Sequence, residues 1–181
     1  MFDRFIRFIG PTLIKFIALF HLPVLETTDE EFLELKSLIR DGDSLVSRTD
    51  WEFSNLFEAG EWKHAAVYFD GYVYEAVTTG VRKSLLEDFF FRKDHVGLCR
   101  CEEFKKDLSD KGLDFLKAQI GLPYDWSFSL ASKNAYYCAE LVFGFLQVTA
   151  QVNVSMTDYF GQEVVSPTDI WNSLTQIKRW G

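Results

Sequence analysis

Three side chains in this sequence are of the types a nucleophilic cysteine site needs. Cys138 stands in Tyr136-Tyr137-Cys138-Ala139-Glu140-Leu141-Val142, which reads as the opening turns of an apolar helix. His64 leads the strand-like run Trp62-Lys63-His64-Ala65-Ala66-Val67-Tyr68, and Glu75 sits in the next such run, Tyr74-Glu75-Ala76. A thiol, an imidazole and a carboxylate on rigid elements are the parts of a cysteine nucleophile with its base and orienting acid. The chemistry they predict is acyl transfer, a thiolate attacking an amide or ester carbonyl. A cysteine near a helix N-terminus feels the positive end of the macrodipole, and a neighbouring imidazolium lowers its pKa further. Glu75 would hold one ring nitrogen of His64 and so fix its tautomer. The oxyanion would meet the Cys138 backbone N–H and a second donor, with Tyr124 or Tyr137 as candidates. Asp125 either orients its loop or contacts substrate. A cysteine on an apolar helix is more often a packing residue; what marks a nucleophile is the base and orienter beside it.

The elements that must position these groups are legible in outline. Thr28-Asp29-Glu30-Glu31 has the form of a capping box, opening a helix through about Ile39. Asp41-Gly42-Asp43 breaks it and feeds a strand over 44–48. Runs 64–70 and 72–77 pair as a hairpin around Asp70-Gly71. A short helix is expected over 84–89, a strand over 95–101 and a helix over 102–120 that stops at Gly121. Gly121-Leu122-Pro123-Tyr124 is a loop delivering Asp125-Trp126. Asn134 is expected to cap a long helix ending near Ala150, and Ser166-Pro167-Thr168-Asp169 to open a final one with Pro at its first position. The order implies an α+β fold, a small, mostly antiparallel sheet packed by helices.

At 181 residues, with 48% hydrophobic and 25% charged side chains, the chain suits one domain that buries a core without staples. A net charge of −8 argues against nucleic acid as a partner, since phosphate binding needs clustered Lys and Arg. The three cysteines, Cys99, Cys101 and Cys138, show no secreted-scaffold spacing, and Cys99 and Cys101 read as buried packing residues. Only His21, His64 and His95 are available as imidazole ligands, without zinc spacing, so no metal and no cofactor are expected.

Residues 1–25 form an apolar arm with a formal charge of +2, set before an acidic body, residues 26–181, of −10. Residues 2–20 carry Phe5, Ile6, Ile9, Phe16, Ile17 and Phe20 beside a narrow stripe of Arg4, Arg7 and Lys15. The apolar runs fall short of the ~20 residues that span a bilayer, and no cleavage-site pattern marks a signal peptide. Two readings stand: an interfacial helix on a membrane surface, or packing against protein. The expected location is cytoplasmic, peripheral to a membrane if the first reading holds.

Six segments in order carry a family resemblance. They are Arg40-Asp41-Gly42-Asp43, His64-Ala65-Ala66-Val67-Tyr68, Val73-Tyr74-Glu75-Ala76, Gly121-Leu122-Pro123-Tyr124-Asp125, Tyr136-Tyr137-Cys138-Ala139-Glu140-Leu141 and Ser166-Pro167-Thr168-Asp169. Over roughly residues 38–175 the chain resembles the circularly permuted branch of the NlpC superfamily of papain-like cysteine hydrolases, the YiiX/YebB-like proteins. Permutation accounts for His preceding Cys. The family strand often reads His-Val-Gly-Ile, where this chain has Ala66. The resemblance implies a permuted papain-like fold with Cys138 as nucleophile, His64 as base and Glu75 as third member. His95-Val96-Gly97-Leu98 looks more like the family strand, but it follows the Glu-bearing run and has no carboxylate partner downstream. Glu140, two residues past Cys138, reads as a capping or structural residue.

The function expected is a cysteine hydrolase or acyltransferase working through a thioester, on a peptide-like amide or an acyl lipid. The arm and the aromatic surplus (18 Phe, 7 Tyr and 5 Trp) favour a lipid-linked or membrane-proximal substrate. The alternative is a non-enzymatic adaptor or sequestering protein that keeps the fold, which would have no need of all three site residues.

Overall fold

The computed structural model describes residues 27–50, 60–131, 134–159 and 161–181, and the arm over 1–25 lies outside them. Six strands make one sheet: β1 (Ser44–Arg48), β2 (His64–Phe69), β3 (Tyr72–Val77), β4 (Gly80–Leu85), β5 (His95–Arg100) and β8 (Thr175–Trp180). Their order is β4-β3-β2-β1-β5-β8, and every pair is antiparallel. A separate hairpin joins β6 (Thr157–Tyr159) to β7 (Gln162–Val164). The helices are α1 (Asp29–Leu38), α2 (Leu86–Phe90), α3 (Ser109–Gln119), α4 (Cys138–Thr149) and α5 (Pro167–Ser173). The architecture is the expected α+β one.

Both faces of the sheet are covered. On one, Ala65, Val67, Phe69, Tyr74 and Ala76 pack with Leu141, Val142, Phe145 and Leu146 of α4 and Ile170 of α5. On the other, Leu45, Ala66, Val73, Val96 and Leu98 pack with Leu35 of α1, Leu86, Phe89 and Phe90 of α2, and Trp180. Successive strand residues point to opposite faces, so a strand covered on both sides reads as a continuous apolar run, as β2 does. Gly97 of β5 keeps its place because a Cβ there would lie 2.6 Å from Trp171 and 2.8 Å from Val46.

The Arg40-Asp41-Gly42-Asp43 segment is a structural lock. The Asp43 carboxylate, 2% exposed, accepts the fork of Arg100 (Nε–Oδ1 2.7 Å, Nη2–Oδ2 2.6 Å) and the Arg40 amide at 2.8 Å. A bidentate guanidinium–carboxylate pair satisfies the buried charge and fixes its geometry. Asp41 Oδ1 accepts the Asp70 amide at 2.8 Å, tying this turn to the β2–β3 hairpin. Gly42 has φ +88, and a Cβ would sit 2.8 Å from the Phe104 ring. Here the left-handed backbone and the close approach both demand glycine.

Several boundaries differ from the sequence reading. The segment expected as a helix over 84–89 is strand through Leu85, and the helix runs Leu86–Phe90. The helix expected over 102–120 begins as a 3-10 turn at Lys106–Leu108 and becomes α-helical at Ser109. Asn134 caps nothing; α4 starts at Cys138. The final helix has its Ser166 cap and Pro167 at the first position, as expected.

Candidate active site

The late start of α4 has a local cause. Tyr136 pairs with the loop before it: the Asp125 amide donates to Tyr136 O, and the Tyr136 amide to Pro123 O, both at 3.1 Å. This short parallel bridge keeps Tyr136 extended, so the helix turns only after Tyr137. The Tyr137 amide donates to Glu140 Oε2 at 3.3 Å, the carboxylate half of a capping box. Cys138 is therefore the first helical residue, where backbone N–H groups have no intrahelical acceptor and the helix end is positive. It is 3% exposed.

On the neighbouring strands, Ala66 is paired with Glu75, which puts His64 diagonally across from the carboxylate on the same face. His64 Nε2 and Glu75 Oε2 are 2.9 Å apart. The other oxygen of Glu75 is fully engaged: Oε1 accepts Arg82 Nε at 2.9 Å, Arg82 Nη2 at 2.8 Å and the Ser84 hydroxyl at 2.7 Å. Burial alone would raise the Glu75 pKa. The hydrogen bond to His64, the imidazolium charge, Ser84 and Arg82 outweigh it and hold the carboxyl well below its usual range. Glu75 is thus an ionised, hydrogen-bonded partner for the ring.

Two ties bring the lead-ins of His64 and Cys138 to one loop. The Trp62 amide donates to Thr168 Oγ1 at 3.0 Å, and the Val165 amide donates to the Tyr137 hydroxyl at 3.1 Å. Both acceptor and donor belong to the segment that opens α5. Helix α4 packs on β2 and β3, with Phe145 edge-on to Phe69 at 6.2 Å. The pleat sends His64 and Glu75 to the face shared with Ala66, Val73 and Phe89, whose ring lies 6.0 Å from His64. Ala65 and Val67 turn to the α4 face.

The remaining candidates divide by what their polar atoms do. Tyr137 is 2% exposed; its hydroxyl accepts the Val165 amide, and burial pushes its pKa up. Asp125 is buried and spends its carboxylate on its own loop, accepting the Ser127 amide (2.8 Å), the Ser127 hydroxyl (2.6 Å) and the Ser129 amide (3.3 Å). Tyr124 is half-buried beside Trp126 (4.8 Å) and Phe128 (6.3 Å), and Phe128 lies 5.4 Å from Tyr137. Burial raises the Glu140 pKa to about 8, opposed by the Tyr137 amide and supported by the Asp125 charge. His95 does have a carboxylate, upstream rather than downstream: its Nε2 is 3.2 Å from Asp50 Oδ2. Cys99 is buried, with its thiol pushed far up by burial and Asp43, and Cys101 is pushed up to about 11 by burial. Arg82 and Ser84 were missed by sequence reading because β4 itself was missed.

The family model of the permuted papain-like amidase enzymes, the YaeF/YiiX or C92 family, matches residues 38–179. The chain belongs to this family. The amidase family's fold is also found by structural comparison. The metalloprotein yiiX of Escherichia coli O157:H7 superposes with a TM-score of 0.66 at 22% identity, covering 78% of this chain and 98% of that one. Comparison with curated proteins gives no match. In this permuted amidase, no group of three or more His, Cys, Asp or Glu side chains among the described residues is arranged to hold a metal ion. The Glu75 carboxylate is already divided between His64, Arg82 and Ser84. These residues do not fit a resident metal.

Proposed function

We propose that this permuted amidase hydrolyses an amide through a thioester on Cys138, with His64 as base and Glu75 as its orienter. The observation that carries the reading is the 2.9 Å contact of His64 Nε2 with a Glu75 carboxylate whose second oxygen is locked. With Nε2–H donating to Glu75, Nδ1 is the nitrogen that takes the thiol proton. The pleat directs His64 to the face opposite α4, so for this chemistry the ring must reach the sulfur around the start of β2, next to the segment that ties Trp62 and Tyr137.

The thiolate attacks the carbonyl carbon, and the oxyanion meets the N–H groups at the start of α4. The His64 imidazolium gives its proton to the leaving nitrogen as the C–N bond breaks, leaving the acyl group on sulfur. Water, deprotonated by the now neutral His64, attacks the thioester, the C–S bond breaks and the thiolate–imidazolium pair returns. An acceptor other than water in this second step would make the enzyme an acyltransferase.

Two features support an apolar acyl part. Tyr124, Trp126 and Phe128 form a half-buried aromatic run that meets Tyr137, the residue before Cys138. The basic, apolar residues 2–20 suit work at a membrane surface; they lie outside the described residues. Intact-mass spectra after mixing with acylated amides and with acyl-lipid esters test the reading. A mass increase equal to the acyl group, lost in Cys138→Ala, is expected. Turnover undiminished in Cys138→Ala would overturn it.

A further inference from the structure

We propose that Arg82 is a positioning residue of this site, setting both the orientation of Glu75 and the charge that His64 experiences; this rests on the triad reading above. Glu75 has two oxygens and three claimants. Arg82 places both Nε and Nη2 on Oε1, at 2.9 and 2.8 Å, and Ser84 adds a hydroxyl at 2.7 Å to the same atom. Only Oε2 is turned to the ring, at 2.9 Å. A fork donating twice to one oxygen restrains rotation of the carboxylate, so the imidazole meets a fixed acceptor.

The charge effect follows from the same geometry. An unscreened carboxylate at hydrogen-bond distance stabilises the imidazolium and raises its pKa. A base that must lose and regain a proton near neutrality works best with a pKa close to the working pH. The guanidinium offsets the Glu75 charge and pulls the ring back towards that range. The groups facing His64 among the described residues include Glu75 from β3, with Arg82 and Ser84 behind it on β4. Phe89 lies on α2, and Ser47 of β1 stands opposite in the ladder. Lys63 precedes it in the chain, and Cys138 is its proposed partner from α4. Of these, Arg82 is the one that shares the Glu75 carboxylate with the ring and carries a permanent positive charge. Its side chain is 43% exposed, so solvent screens the effect without removing it.

The test is the titration of the His64 imidazole by NMR in the full chain carrying Cys138→Ala, which removes the thiolate. The resonance is assigned by its loss in His64→Ala. In Arg82→Gln the ring pKa should rise by about half a unit to one unit. Arg82→Lys keeps the charge and should restore the parent value to within about 0.2 unit. Ser84→Ala, which removes a donor but no charge, should shift it less than Arg82→Gln. In enzyme retaining Cys138, the alkaline limb of the pH–rate profile should move up in Arg82→Gln and not in Arg82→Lys. A folded Arg82→Gln with an unchanged titration overturns the inference. If instead His64→Ala leaves Cys138 reactivity intact, the triad reading fails, whatever Arg82 does to the ring.

Discussion

The Trp62 amide donates to the Thr168 hydroxyl at 3.0 Å, joining the lead-in of the His64 strand to the capped start of α5. The same segment holds Tyr137, and hence the start of α4, through the Val165 amide. The Ser166-Pro167-Thr168-Asp169 motif therefore works as a clamp on the two elements that carry the proposed base and nucleophile. Ser166 and Asp169 stiffen it by reciprocal caps, Asp169 Oδ2 accepting the Ser166 amide at 2.8 Å.

Thr168→Val removes the acceptor while keeping the shape. Stability should fall by about 1–3 kcal/mol, the cost of leaving the Trp62 amide without its partner. The kcat should fall further than this modest loss explains, because the ring and sulfur lose register. Thr168→Ser should recover most of both. Urea unfolding and amide turnover on the same preparations separate the two effects.

The Asp43–Arg100 lock predicts a stability loss without a catalytic one. Arg100→Met strands a buried carboxylate and should cost about 3–5 kcal/mol in equilibrium unfolding. The labelling rate of Cys138 in the fraction that remains folded should stay at the parent value.

Glu140 gives a pH dependence of known sign. Its folded pKa, about 8, lies above the ordinary carboxylate value, so the native state holds this proton after the unfolded chain has lost it. The associated stability is complete below the unfolded pKa and is lost as pH rises through the folded one. Between about pH 5 and 8 stability should therefore fall, by at most about 1.4 kcal/mol per unit from this group. Glu75 has the opposite sign, but its depressed pKa confines its effect to lower pH. Glu140→Gln keeps an acceptor for the Tyr137 amide and should flatten the slope, read as the difference between the two proteins' denaturant midpoints across that range.

The His64–Glu75 pair was legible in the sequence because both residues lie on strongly patterned strands. His64 and Glu75 flank an Asp-Gly turn between apolar runs, which fixes the strand pairing and so their diagonal contact. Cys138 opens a helix whose apolar face is continuous. What escaped was the partially exposed periphery. Strand β4, Gly-Val-Arg-Lys-Ser-Leu, is an edge strand whose Arg and Lys blunt the apolar alternation, and β8, Thr-Gln-Ile-Lys-Arg-Trp, is the edge on the other side. Charged edges look like loops in a single sequence, and with β4 went Arg82 and Ser84. Asn134 misled for a different reason: a good capping residue is overridden when the following residues are held extended by Pro123 and Asp125.

The N-terminal arm predicts membrane association. The full chain should co-sediment with vesicles containing anionic lipid, and a version starting near Leu25 should not. High salt should weaken the binding of the full chain, since Arg4, Arg7 and Lys15 contribute to it. Equal pelleting of both versions would remove the membrane proposal and leave the hydrolase proposal standing.

The central claim is that Cys138 is a nucleophile activated by His64, and site-resolved alkylation by iodoacetamide near pH 7 tests it most directly. All three cysteines are buried, but Cys138 at the start of α4 should react faster than free cysteine, while Cys99 and Cys101, whose pKa values are raised, stay unmodified in the folded protein. His64→Ala should slow Cys138 by at least about tenfold, and His95→Ala should leave it within about twofold. An inert Cys138, or a rate that His95→Ala lowers and His64→Ala does not, would contradict the assignment.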